Sequence, residues 1–104
     1  MNFFKKKTKF YIQIEANDMK NSPEDLIGLF VEINSEIKQE GQLIIRFLEV
    51  DDISMHMLNV IISFVSLVEK THSISISIQA EAELVKKFKE ANLTMILSRL
   101  ANRE

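Results

Sequence analysis

Residues 47–64 read FLEVDDISMHMLNVIISF, and this stretch decides the fold. It opens as the end of an apolar strand and breaks at two adjacent aspartates, Asp51 and Asp52. It then continues as an apolar helix whose first turn contains methionine, histidine and methionine at residues 55–57. Ligands of α/β domains gather at the carboxyl ends of parallel strands, where the helices begin. We therefore expect function to reside at this strand-to-helix junction, residues 51–57.

Strand and helix patterns alternate along the rest of the chain. The strand patterns, either alternating or apolar on both faces, lie at residues 9–16, 42–50 and 73–80. The apolar spacing of amphipathic helices occurs at residues 23–37, 54–70 and 81–91. Strands joined by crossover helices form parallel sheets with right-handed connections. The sequence therefore predicts an α/β fold, with a mostly parallel sheet of roughly four to five strands and about three to four helices.

Several residues mark where these elements start and stop. Ser22 and Pro23 are residue types preferred at an N-cap and at the first helical position, and Gly41 stands beyond the end of that helix. Asn92 is a residue type that ends helices in a left-handed conformation. After it, we expect residues 93–97 to form a short strand or an extended segment.

Composition indicates one soluble domain that spans residues 1–104, because 46% of the 104 residues are hydrophobic and 27% are charged. The chain contains no cysteine, which excludes disulfides, thiolate metal ligands and cysteine nucleophiles and is typical of the cytoplasm. The longest apolar run, residues 60–68, is too short to cross a bilayer. We therefore expect a cytoplasmic protein without membrane insertion.

The basic residues of the N-terminus form a single cluster, made by Lys5, Lys6, Lys7 and Lys9. A nucleic-acid-binding domain instead spreads its basic residues over a folded face with stacking aromatic side chains. We therefore expect no nucleic-acid binding. Residues 1–8 form either a flexible basic arm or a short edge strand, whose lysines would keep the sheet edge from pairing with other chains.

The polar residues of the junction have both a structural and a chemical interpretation. Asp51 and Asp52 could bind a metal, but adjacent aspartates before a helix more often serve the turn. His56 could act as a general base, yet no known motif places a nucleophile or a second histidine with it. Ser54 fits an N-cap, with phosphorylation as the alternative. We therefore expect no catalytic, metal-binding or cofactor-binding residues, and no enzyme activity.

The junction resembles the signature of the STAS domain, the fold of bacterial anti-sigma factor antagonists and of the cytoplasmic tails of sulfate transporters. That signature reads roughly hydrophobic-x-x-Ile-Asp-Ser-Ser-Gly-Leu-Gly and precedes a hydrophobic helix. Val50, Ile53 and Leu58 match its hydrophobic positions, and residues 60–62 match the helix. Residues 81–97 are similar to the family's last helix and the stop after it, with Asn-Leu in place of Gly-Leu.

The chain departs from the family at the residues that form its switch. Partner kinases phosphorylate a hydroxyl of the Asp-Ser-Ser-Gly motif, where this chain has Ser54, Met55, His56 and Met57. The positive end of the helix dipole would stabilise a phosphate there, and the phosphate would repel an acidic partner surface. Met55 carries no such charge and favours adaptable apolar contact. The resemblance therefore implies a module that lacks the usual phosphorylation switch. The alternative is that Ser54 serves as a shifted phosphorylation site.

In function, the resemblance implies a non-enzymatic protein-interaction module of STAS type. The first interpretation is a regulator similar to an anti-sigma factor antagonist or a stressosome-type scaffold, whose partner is an anti-sigma factor or a serine-kinase-like ATPase. The alternative is an accessory subunit of a lipid-transport ABC system that binds the transporter ATPase. We expect partner binding at Asp51, Asp52, Ser54, Met55, His56, Met57, Asn59, Val60 and Phe64.

The predicted helix after the junction has an apolar arc wider than one sheet can bury. Its core stripe consists of Leu58, Ile61, Ile62, Val65 and Val68. Beyond that stripe lie Met57, Val60, Phe64 and Leu67. Large exposed apolar strips usually mark interfaces. We therefore expect these four residues to form a partly exposed strip that serves partner docking or a homodimer.

Overall fold

The computed structural model describes residues 2–20, 22–37, 41–72 and 74–100. The strands are β1 (Asn2–Lys6), β2 (Lys9–Glu15), β3 (Gly41–Leu48) and β4 (Ile74–Gln79). The α-helices of the described residues are α1 (Pro23–Glu36), α2 (Met55–Thr71), α3 (Ala82–Glu90) and α4 (Thr94–Leu97). A short 3-10 helix (Ala16–Lys20) follows β2.

The four strands form a mixed sheet in the order β1-β2-β3-β4. β3 pairs in parallel with both β2 and β4, whereas β1 pairs antiparallel with β2. The predicted α/β class is confirmed, but the sheet is not purely parallel. The exception arises because the chain folds back at residues 7–8, where Lys7 has a φ of 57°. β1 consequently lies at the edge of the sheet.

The helices cover one face of the sheet. On that face Ile12, Ile45 and Ile78 form a row across β2, β3 and β4, and all three are fully buried. The apolar residues at helical spacing between residues 23 and 37 are buried against this face and form the core stripe of α1, which consists of Leu26, Phe30, Ile33 and Ile37. α1 and α2 lie side by side, with the rings of Phe30 and Phe64 stacked at a centroid distance of 4.3 Å.

The opposite face of the sheet carries mostly polar and small side chains. Tyr11, Ile44 and Ser77 form one row, and Ile44 is buried outside the cluster that the helices pack against. Arg46 Nε donates a hydrogen bond to Gln79 Oε1 at 2.8 Å, and its guanidinium lies 5.3 Å from the Tyr11 ring centroid. β3 therefore alternates polar and apolar side chains on this face, and the described helices cover only the other face, not both as its apolar pattern predicted.

Gly41 does not cap α1, which ends at Glu36 with Ile37 as its C-cap. It begins β3 instead, with a φ of 153°. A Cβ atom at this position would collide with the carbonyl oxygen of Thr8, in the turn between β1 and β2. The first residue of β3 is therefore a glycine because the turn between β1 and β2 approaches its backbone closely there.

The chain after α3 differs from the prediction. Asn92 ends the helix with a φ of 58°, so the left-handed stop is confirmed. The strand or extended segment expected at residues 93–97 is wrong, since α4 occupies this segment. Ile96 of α4 is buried, and Arg99 binds both carboxylate oxygens of Glu69 on α2, at 2.8 Å and 2.6 Å. These contacts hold a short helical turn against α2, which local propensity alone does not reveal.

Candidate functional site

The junction lies where β3 leaves the sheet and α2 begins. Glu49 turns the chain with a φ of 57°, and Val50 anchors it in the core with 1% exposure. Asp51 and Asp52 are exposed on the loop that follows. The junction is therefore held by buried residues beneath it and presents its polar residues to the surface.

Ser54 is the N-cap of α2. Its Oγ accepts a hydrogen bond from the backbone N–H of Met57 at 3.2 Å, and its backbone is extended, as N-cap residues are. The N-cap interpretation is therefore confirmed. The residue is also exposed, and phosphorylation at this position stays a prediction.

Asp52 serves the turn and links the junction to α3. Its Oδ1 accepts a hydrogen bond from the backbone N–H of Ile53 at 2.8 Å and lies 2.8 Å from Lys87 Nζ. The hydrogen bond from Lys87, more than that from Ile53, lowers the pKa of the Asp52 carboxyl. The same hydrogen bond raises the pKa of Lys87, and the negative charge of Asp51 raises this pKa further. Because both groups are exposed, the pair contributes little to folding.

Replacing Lys87 with methionine is expected to raise the pKa of Asp52 toward the ordinary aspartate value, because the largest cause of the lowered pKa is removed. A carboxyl with a lowered folded-state pKa stabilises the fold above its ordinary pKa, and this stabilisation is lost as pH falls through the folded-state pKa. In Lys87→Met the folded-state pKa of Asp52 moves back toward its ordinary value, so this small stabilisation should largely disappear. An NMR titration of the Asp52 carboxyl measures the change. The matched control is Lys86→Met, and equal titration curves in both variants would contradict the assignment.

The first turn of α2 divides its side chains between surface and core. Met55 is 54% exposed and His56 is exposed, whereas Met57 is buried with 3% exposure. The two residues that the sequence resemblance aligns with the switch hydroxyls of STAS domains are therefore both on the surface. His56 is also distant in sequence from His72, whose Nε2 lies 3.2 Å from Asn34 Oδ1.

Of the four residues predicted to form an apolar strip on α2, two are buried and two reach the surface. Phe64 has 3% exposure because it stacks on Phe30, and Met57 is equally buried, so the expected exposure is wrong for these two residues. Val60 is half-buried, and Leu67 is 43% exposed, as expected of strip residues. Phe64 lies at the base of the space between α1 and α2, where it stacks on Phe30, whereas Val60 and Leu67 line the open part of that space.

An apolar groove of about 340 Å³ runs between α1 and α2. Its lining consists of Glu24, Ile27, Phe30, Val31, His56, Asn59, Val60, Ser63, Phe64 and Leu67. Ile27 and Val31, which sequence analysis did not select, are 48% and 58% exposed. Their spacing of four residues on α1, beside the core stripe, is the signal that would have found them. The groove thus joins predicted partner-binding residues of α2 to a wall that α1 provides.

A second cavity lies at the carboxyl ends of β2 and β3 and has a volume of about 530 Å³. It is lined by Glu15, Ala16, Asn17, Leu48, Glu49 and Glu81. Its acidic side chains do not form a metal site, since no three His, Cys, Asp or Glu residues in the described part of the chain are arranged to hold an ion.

Comparison of the chain with protein-family models, with curated proteins and with solved structures gave no match. The resemblance to STAS domains therefore rests on the residues of the junction and on the order of elements. In the part of the chain that the structure describes, no helix combines the length and the apolar character that a membrane span requires.

Proposed function

We propose that this chain is a non-enzymatic, cytoplasmic protein-interaction module of STAS type that binds its partner at the junction. The observation that carries the proposal is the 54% exposure of Met55 on the first turn of α2. A large apolar side chain gains nothing from water, and its flexible thioether suits contact with another protein. The exposed residues beside it are Asp51, Asp52, Ser54, His56 and Asn59.

The module has one permanent binding state in this proposal. Met55 and His56 occupy the positions of the family's switch hydroxyls, and neither can carry a serine phosphate. No acidic residue lies in the first turn of α2 to imitate the phosphate charge. The Asp52 carboxylate nearby is bound to Lys87. The first turn of α2 therefore presents an apolar residue and no carboxylate, and the carboxylates of Asp51 and Asp52 lie on the loop before it.

The first candidate role is a regulator similar to an anti-sigma factor antagonist or a stressosome-type scaffold. The alternative role is an accessory subunit of a lipid-transport ABC system. Affinity capture of the tagged chain from its native cell, with mass spectrometry of the bound proteins, separates the two roles. An ATPase with a histidine-kinase-like fold is expected, and a transporter ATPase would favour the alternative. Absence of any stoichiometric protein partner would contradict both.

Incubation with a captured serine kinase is expected to leave residues 55 and 56 unmodified, because the hydroxyl chemistry is absent there. Ser54 is the hydroxyl at the junction, and its Oγ already accepts the N-cap hydrogen bond. Intact-protein mass spectrometry, followed by peptide mapping, measures the outcome, with Ser54→Ala as the control. Stoichiometric phosphate on Ser54 would restore a switch and contradict the single binding state.

A further inference from the structure

The groove between α1 and α2 has the shape of a site for one helix. Its floor is the stacked pair Phe30 and Phe64, and its walls expose Ile27, Val31 and Leu67. Along α2 the lining runs from His56 to Leu67, which corresponds to a length of about 17 Å at the helical rise. That length accommodates about three turns of a helix. Helices that dock in such grooves use apolar side chains at i, i+3, i+4 and i+7.

The charges around the groove are unequal on its two sides. α1 exposes Glu24, Asp25, Glu32 and Glu36 and contains no lysine or arginine. Glu24 lines the groove itself. Glu32 and Glu36 lie on the other flank of α1, where they line a separate cavity with Phe3. The α1 side of the groove therefore carries the negative charge of Glu24 and no basic side chain of α1, which favours a basic group on the ligand.

A second copy of the chain fits this surface poorly. Docking two copies through the groove would bring the two α1 helices, each with its exposed carboxylates, close together, and like charges across an interface are unfavourable. Two concave surfaces also leave unfilled space between them, which forfeits packing energy. The charge and the shape both favour a convex, basic segment of another protein.

We propose that the groove binds an amphipathic helix of the partner protein, with its apolar stripe on Phe30 and Phe64 and with lysines or arginines on the flank that faces α1. This inference rests on the proposed function, since it names the kind of segment that the partner presents. Met55, which does not line the groove, contacts the partner beside that helix. The partner thus makes two adjoining contacts, one at the junction and one in the groove.

The test uses two synthetic helical peptides of about three to four turns with the same leucine stripe, one with lysine flanks and one with glutamate flanks. NMR titration of the full chain is expected to shift the amide resonances of the groove residues with the lysine peptide. The glutamate peptide should bind at least about tenfold more weakly, and added salt should reduce the difference. No saturable binding of the lysine peptide up to about 1 mM, or equal binding of both peptides, would overturn the proposal.

Two matched variants separate contact from charge. Val31→Arg adds a positive charge at the groove wall, and Leu29→Arg adds the same charge on the flank of α1 that faces Phe3 and Glu36. Val31→Arg should weaken lysine-peptide binding by at least about tenfold, whereas Leu29→Arg should weaken it by about twofold. Thermal melts verify that both variants fold. If both variants lose the same affinity for the lysine peptide, the added charge acts only at long range, and the groove is not the binding site.

Two further results bear on the inference. If sedimentation equilibrium shows that the chain is a dimer and that Val31→Arg is a monomer, a second copy occupies the groove and the inference is wrong. If the lysine peptide does not bind, but substitution of Met55 weakens the binding of a captured partner, the groove inference is wrong and the proposed function stands. If no captured partner depends on Met55 either, the proposed function fails as well.

Discussion

Replacement of Phe64 with alanine is expected to lower the free energy of unfolding by about 3–5 kcal/mol. The ring is 3% exposed and stacks on Phe30 at 4.3 Å, between two helices that both pack on the sheet. Truncation removes the transfer energy of the ring, its aromatic contact and the floor of the groove, and it leaves a cavity that two anchored helices cannot close. Urea denaturation followed by circular dichroism measures the change.

The matched control for this prediction is Leu67→Ala, which lies nearly one turn further along α2. Leu67 is 43% exposed, so its truncation should cost less than about 1 kcal/mol. Comparable losses for the two variants, or a larger loss for Leu67, would show that the packing of α1 on α2 is not as the structure has it. The comparison also tests whether Phe64 belongs to the core rather than to an exposed strip.

The fold was predictable in segments whose apolar spacing fits only one kind of element with one pattern of buried side chains. The stripe from Leu26 to Ile37 has the spacing of a helix with a single buried face, and the structure buries it. The alternation of residues 9–16 matches the alternating burial of β2. The crossover helices between the strands similarly predicted the parallel pairing of β3 with both neighbours. In each case the periodicity of the sequence and the geometry of the element agree.

Other features depend on contacts that no local pattern encodes. The short α4 is held by the buried Ile96 and by the ion pair of Arg99 with Glu69, which lies far away in sequence. Likewise, the apolar arc of α2 has one spacing throughout, yet Phe64 is buried against Phe30 of α1 while Leu67, which also faces α1, is exposed. Periodicity gives the width of an apolar face but not the neighbour that covers it.

The junction was more predictable than the groove for the same reason. Ser54 as an N-cap and an exposed Met55 both follow from where a helix begins, which short-range signals indicate. The groove requires α1 and α2 to lie side by side, so that Ile27 and Val31 face Leu67 across a floor of aromatic rings. The placement of the two helices is a tertiary property, and the residues of α1 were therefore missed.

Replacement of Met55 with aspartate is expected to weaken partner binding by about 2 kcal/mol or more, a factor of about thirty, with almost no loss of stability. At the centre of an interface the carboxylate would be buried without a partner charge. In the free chain the side chain is 54% exposed and lies at the first position of α2, where the positive end of the helix stabilises a carboxylate by about 0.3–1 kcal/mol. Calorimetry with the captured partner and thermal melts of the free chain measure the two effects.

Met55→Asn is the control that separates charge from contact, because it has nearly the shape of aspartate without the charge. If the charge is decisive, Met55→Asn should retain more affinity than Met55→Asp, and both should melt close to the unmodified chain. Unchanged affinity in Met55→Asp would remove the junction from the interface. A large drop in melting temperature would instead show that Met55 stabilises the fold, and the side chain could then no longer be assigned to the partner.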